Sequence, residues 1–200
     1  MSEKRISVRQ KAEAIRDLRC KNLIAVLENP KDQRNIGAFL RNVNALGVEK
    51  AYIVTNHLWS GKSWNDLREN RALMGTSASA VKWTFFRIFQ DSASAFDHLE
   101  RKDFVSVATS PHVKGKITYS LDNCDFTRAK QLAVWFGTEG SGLSDLVLER
   151  CAWSVAIPMA GIIESFNLGT SSGIVLYEAT RQRRAFQEAR RRLQLSAMRA

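Results

Sequence analysis

Two apolar runs, each breaking into a turn-forming segment, constrain this chain more than any other feature. Leu132-Ala133-Val134-Trp135-Phe136 passes into Gly137-Thr138-Glu139-Gly140-Ser141-Gly142-Leu143-Ser144. Val155-Ala156-Ile157-Pro158-Met159 passes into Ala160-Gly161-Ile162-Ile163-Glu164-Ser165-Phe166-Asn167. Both read as buried strands ending in tight turns whose backbone can approach a ligand. In open α/β sheets ligands sit at the carboxyl ends of the strands. Two such ends, close in sequence, point to one small-molecule pocket.

The rest of the pattern agrees. Residues 7–19 read as an amphipathic helix through Val8, Ala12 and Ile15, and Asn22–Glu28 reads as a strand. Asn35 stands as an N-cap for a helix over Ile36–Leu46, with an apolar stripe of Ile36, Phe39, Leu40, Val43 and Leu46 ended by Gly47. Further strands are expected at Ala51–Thr55, Val81–Phe86, Phe104–Thr109, Gln131–Phe136 and Trp153–Ile157. Helices are expected at Asp91–Glu100 and Thr170–Leu195, the latter buried all round over Ile174-Val175-Leu176-Tyr177. Residues 56–79 and 111–130 read as irregular loops. About six strands alternating with helices give an α/β fold, an open and mostly parallel sheet flanked by helices.

Charge narrows the partner. The chain of 200 residues carries a formal +10 and a pI of about 9.9, a balance that favours a polyanion. Lys4, Arg5, Arg9, Arg16 and Arg19 crowd one end, and Arg181, Arg183, Arg184, Arg190, Arg191 and Arg192 the other. Arg5, Arg9, Arg16, Arg19, Arg184 and Arg191 are the expected contacts to nucleic acid. No apolar run approaches the roughly 18 residues that span a bilayer, so no membrane partner is expected. Three scattered cysteines form no CxxC pair, which argues for reduced thiols in a cytoplasm.

Several tempting motifs fail. Gly61-Lys62-Ser63 lacks the P-loop glycine, because Asn56 stands in its place. Gly137, Gly140 and Gly142 are spaced GxxGxG, not as the dinucleotide fingerprint. His57, His98 and His112 have no ligand spacing, so no metal is expected. No GxSxG elbow occurs, which leaves hydrolase chemistry unsupported.

Three segments together resemble the SpoU/TrmH family of RNA ribose 2′-O-methyltransferases, in the SPOUT superfamily. They are Asn35-Ile36-Gly37-Ala38-Phe39-Leu40-Arg41, then Phe136 through Ser144, then Ile157-Pro158-Met159-Ala160-Gly161 continuing to Ser165-Phe166-Asn167 and Leu176-Tyr177-Glu178. The resemblance covers about residues 22–184 and is nearest the tRNA-modifying TrmH branch. It implies S-adenosylmethionine as cofactor, a C-terminal trefoil knot that holds it, and a homodimer with the site near the interface. It implies a domain over 22–180 with basic extensions at 1–21 and 181–200. The favoured substrate is tRNA, at guanosine 18 of the D-loop. An rRNA ribose and a non-catalytic RNA-binding protein are the alternatives.

Site residues follow by position. Gly137, Ile157 and Phe166 match family positions that touch the cofactor. Thr109, Met159 and Gly161 should line the same crevice, with Pro158 fixing the backbone beside it. Arg41 matches the family's catalytic arginine. It lies about 140° around the helix from Ile36, off the buried stripe. A guanidinium is a poor base, so its easier role is to grip the phosphate beside the target ribose and stabilise alkoxide charge. Asn35, Glu139, Ser165 and Asn167 match the other polar positions. Glu139 would orient Asn35 or balance the cationic cofactor, and Ser165 and Asn167 would bond the cofactor or the surrounding backbone.

Overall fold

A computed structural model describes residues 7–59, 62, 64–111, 115–138 and 140–197. Five of the six expected strands are present, and among the described residues the strands number seven: β1 Cys20–Glu28, β2 Val48–Val54, β3 Phe85–Phe89, β4 Val105–Thr109, β5 Thr118–Ser120, β6 Leu132–Phe136 and β7 Trp153–Ala156. They form one sheet in the order β3-β2-β1-β6-β4-β7-β5, and every pairing is parallel. The order reverses between β1 and β6, the switch point at which such sheets hold ligands. Registers Leu27↔Phe136, Ala108↔Trp135 and Thr109↔Val155 bring the carboxyl ends of β1, β6, β4 and β7 to one edge.

Helices cover both faces, as the continuous apolar strands require. On one face lie α2 (Gln33–Ala45), α3 (Trp64–Arg68), α4 (Arg71–Thr76) and α7 (Leu168–Ala197). On the other lie α5 (Ser92–Glu100) and α6 (Asp145–Arg150). Phe39 of α2 meets Phe136 edge-on at 5.8 Å on the first face. Phe96 of α5 stacks on Trp135 at 4.3 Å on the second. α1 (Val8–Ile15) precedes the sheet and is capped by Ser7, whose hydroxyl accepts from the Gln10 amide.

The structure corrects several expectations. Asp32, not Asn35, caps α2, so Asn35 lies inside the first turn with its side chain free for another task. Both residue types cap well, and only the backbone decides between them. Val81–Phe86 is not a strand: Ala80–Lys82 is a 3-10 turn and β3 starts at Phe85. The expected loops hold α3, α4 and β5, elements too short to show a period. α7 buries Val175, Leu176 and Ala179 but exposes Tyr177, because the sheet covers only one side of it. Gly47 does end α2, at φ +72, where a Cβ would be strained.

The start of the sheet is fastened to α7 by Arg183, which is 5 % exposed. Its Nη1 donates to the Phe126 and Ala129 carbonyls, and its Nη2 to those of Asn22 and Lys130. Burial lowers its pKa. Among the described residues no helix is long and apolar enough to cross a membrane.

Candidate active site

The carboxyl ends of β4, β6 and β7 open into a cleft of about 410 Å³. That volume lies in the range of small-molecule sites. Thr109, Gly137, Ile157, Met159 and Phe166 line it, five of the six residues expected around a cofactor. Gly161 does not: it is exposed, and a Cβ built there meets nothing within 4 Å. Ser165 also lines the cleft. Thr109 donates its hydroxyl to the Trp135 carbonyl at 2.7 Å, which ties the ends of β4 and β6 together.

The glycine at 137 is required by its own loop. Thr138 and Gly142 exchange two main-chain hydrogen bonds, of 3.2 and 2.9 Å, closing the loop on itself. A Cβ on residue 137 would lie 2.1 Å from the Gly142 carbonyl carbon and 2.4 Å from the Leu143 nitrogen. Contacts that short cannot exist, so any side chain there opens the loop. Space for a ligand is a separate matter.

Glu28 anchors the exit of that loop, a role with no signal in the sequence. It ends β1, is 2 % exposed, and accepts from the Ser144 amide at 2.8 Å and the Ser144 hydroxyl at 2.6 Å. The Ser92 hydroxyl donates to it as well. Ser144 and Ser92 open α6 and α5, so one carboxylate sits where two helices begin, the favourable end of each dipole. A carboxylate closing an apolar run looks, in sequence, like the first residue of a solvated turn.

The polar candidates converge where α2 meets the start of α7. The Asn167 side-chain amide donates to Asn35 Oδ1 at 3.3 Å. Asn167 Oδ1 accepts from the Gly169 amide at 2.8 Å, capping α7. Asn42 fastens the same junction, with its Nδ2 2.6 Å from the Gly169 carbonyl and 3.0 Å from Ser172 Oγ. Gly169 suits this approach, since a Cβ would lie a tight 3.0 Å from Ala38 Cβ.

Arg41, beside Asn42, is exposed and does not line the cleft. It stands on α2 some six residues past Asn35, about 9 Å along the axis. Glu139 and Arg5 lie outside the described residues, as does the side chain of Arg9. Arg16 and Arg191 are exposed. Arg19 and Arg184 are engaged by the fold itself. Arg19 Nη2 donates to the Val48 and Glu49 carbonyls, and Arg184 Nη1 to the Leu46 carbonyl, because both sit where the chain turns into the sheet.

The sequence model of the SpoU rRNA methylase family matches residues 22–177. This chain belongs to the SpoU rRNA methylase family. SpoU enzymes are RNA 2′-O-methyltransferases that use S-adenosylmethionine. The tRNA (guanosine(18)-2′-O)-methyltransferase of Thermus thermophilus is 30 % identical over 92 % of this chain and 87 % of its own length. A 23S rRNA (guanosine-2′-O-)-methyltransferase of Coxiella burnetii is 31 % identical, but the chain covers only 60 % of it. The crystal structure of the A. aeolicus TrmH/SpoU tRNA modifying enzyme superposes with a TM-score of 0.72 at 26 % identity, over 90 % of this chain and 85 % of that one. The SpoU fold therefore accounts for the sheet and for the cleft at its edge.

Proposed function

We propose that this SpoU protein methylates the 2′-hydroxyl of a tRNA ribose, with guanosine 18 as the target. The extent of the match within this chain carries this reading. The tRNA guanosine-18 enzyme aligns over 92 % of the chain and the tRNA-modifying structure superposes over 90 % of it, whereas the rRNA enzyme aligns over 82 %.

The cleft fits S-adenosylmethionine. Ile157, Met159 and Phe166 offer apolar walls, and the Gly137–Gly142 loop presents main-chain groups beside them. The cofactor supplies a sulfonium methyl group to an attacking ribose oxygen. The protein's own residues do the rest. Asn35 and Asn167 hold the junction of α2 and α7 at the cleft rim. The Arg41 guanidinium grips phosphate and steadies negative charge on the ribose oxygen. It is exposed and does not line its own cleft, which supports a homodimer in which each Arg41 serves the partner's cofactor. Arg16 and Arg191, both exposed, hold the RNA backbone further out. A trefoil knot is part of the same reading, supported by β4 lying between β6 and β7 while the chain returns to pack α7 on α2.

The test is transfer of labelled methyl from S-adenosylmethionine to tRNA and rRNA, followed by mapping of the labelled nucleotide. Label at guanosine 18 that disappears with a 2′-deoxy guanosine supports the reading. Label on a base, or on rRNA alone, overturns it. Arg41→Ala should bind cofactor normally and lose transfer.

A further inference from the structure

The far edge of the sheet carries exposed aromatic residues beside cations. β3 is the outermost strand, and edge strands are usually blunted by charge. Here Phe85 is 59 % exposed and Trp83, just before the strand, is 48 % exposed. Phe85 pairs in register with Lys50 of β2, and Arg87 with Tyr52, so Phe85 and Arg87 stand on the same face. That face is shared with the last turn of α5.

His98 shows what surrounds it. Arg87 Nη1 lies 3.3 Å from His98 Nδ1, and the Tyr52 hydroxyl lies 3.2 Å from His98 Nε2. Burial lowers the His98 pKa first, and then Arg87, Lys102, Arg101 and Lys50 each lower it further. Arg87 touches the imidazole, Lys50 stands opposite Phe85 in the register, and Arg101 and Lys102 follow directly on α5. The acids of α5 do not offset them, because Arg150 of α6 draws Asp97 (3.0 Å) and Glu100 (2.8 Å) to the other side of the helix. Glu49 remains close, 3.1 Å from Lys50, and the exposed Asp103 follows Lys102 directly in the chain. Exposed aromatic rings set among cations suit single-stranded nucleic acid, where bases stack and phosphates pair.

We propose that the edge strand β3 and the C-terminal end of α5 form a second RNA contact, with an unpaired base stacked on Phe85 and backbone phosphates on Lys50, Arg87, Arg101 and Lys102. It rests on the RNA-methyltransferase reading above and adds a surface to it. The rows Phe85↔Lys50, Lys50↔Ile24 and Ile24↔Ala133 place Phe85 three strands across from β6 and four residues below Gly137. Strand spacing and rise convert this to about 20 Å. One folded RNA reaches both places. The contact would favour substrates with a looped-out nucleotide at that distance from the methylated ribose.

The experiment uses the full chain, tRNA transcript and S-adenosylmethionine. Two variants are compared with the wild type: Arg101→Ala with Lys102→Ala, at exposed positions past the end of α5, and Phe85→Ala. RNA affinity is measured at several salt concentrations, with methyl-transfer kinetics and cofactor affinity alongside. The double variant should lose about tenfold in RNA affinity and flatten the log–log salt slope by one to two, the effect of about two lost phosphate contacts. Phe85→Ala should weaken RNA binding about fivefold or more, with the salt slope retained. Both should raise KM for RNA and leave kcat and cofactor affinity unchanged. Variants that bind RNA with the wild-type affinity and slope, while the wild type methylates it, overturn the surface alone. A wild type that neither binds nor methylates RNA overturns the functional reading, and the surface with it.

Discussion

Asn167 donates its side-chain amide to Asn35 Oδ1 across 3.3 Å, joining the first turn of α2 to the cap of α7 over 132 residues of chain. Either partner is replaceable by water, since Asn167 is exposed. The bond therefore matters more for placement than for stability. Asn35→Ala should cost no more than about 1 kcal/mol in urea unfolding. Asn167→Ala should cost about 1–2 kcal/mol, because it also removes the cap of α7. Both should reduce methyl transfer more than cofactor affinity, as read by steady-state kinetics and calorimetry.

Gly137→Ala separates the loop from the ligand. The added methyl would collide with the Gly142 and Leu143 backbone, so the Thr138–Gly142 ladder must open. The sheet core does not depend on that ladder. The variant should fold, and S-adenosylmethionine should raise the melting temperature of the wild type but not that of the variant. An equal thermal shift in both proteins would show that the loop does not shape the cofactor site.

Arg183 is fixed by four carbonyl oxygens, those of Phe126, Ala129, Asn22 and Lys130. Arg183→Met would strand these buried acceptors and should cost about 3 kcal/mol or more in urea unfolding. Arg183→Lys should fall between the two, since an ammonium cannot span all four. A cost below 1 kcal/mol would mean that water satisfies these carbonyls.

The three cysteines are buried and unpaired. Burial pushes the Cys151 thiol up to about 12, and raises Cys20 and Cys124 as well. A thiol whose folded pKa lies above its unfolded value stabilises the fold fully below the unfolded value. That contribution is lost as pH rises towards the folded one. Stability should therefore fall from about pH 8.5 upwards, where unfolded thiols ionise. Cys151→Ala should flatten that decline, and a thiol-specific reagent at pH 8 should label the native protein far more slowly than the unfolded one.

Apolar runs made most of the sheet legible, because strands buried on both faces leave an unbroken signature. The helical period did the same for α2, α5 and α7. α3, α4 and β5 escaped because five, six and three residues show no period. The order of the strands also escaped, since pairing between β1 and β6 spans more than a hundred residues that local pattern does not read. In the site, lining residues were found through family resemblance and strand ends together. Glu28 was missed because its burial depends on Ser144 and Ser92, which come from distant segments. Arg19 and Arg184 were grouped with the basic ends because charge is visible in sequence and hydrogen-bonded carbonyls are not.

α7 runs unbroken from Leu168 to Ala197. Its first turns give Ser171 and Val175 to the cleft, and its far end carries the exposed Arg191. Sixteen residues separate Val175 from Arg191, about 24 Å of helix. With Arg191 on RNA as proposed, a rod of that length would set a fixed reach between the reacting centre and the distal grip. A substrate whose phosphates fall short of it, or overshoot it, can hold one end of the rod but not both.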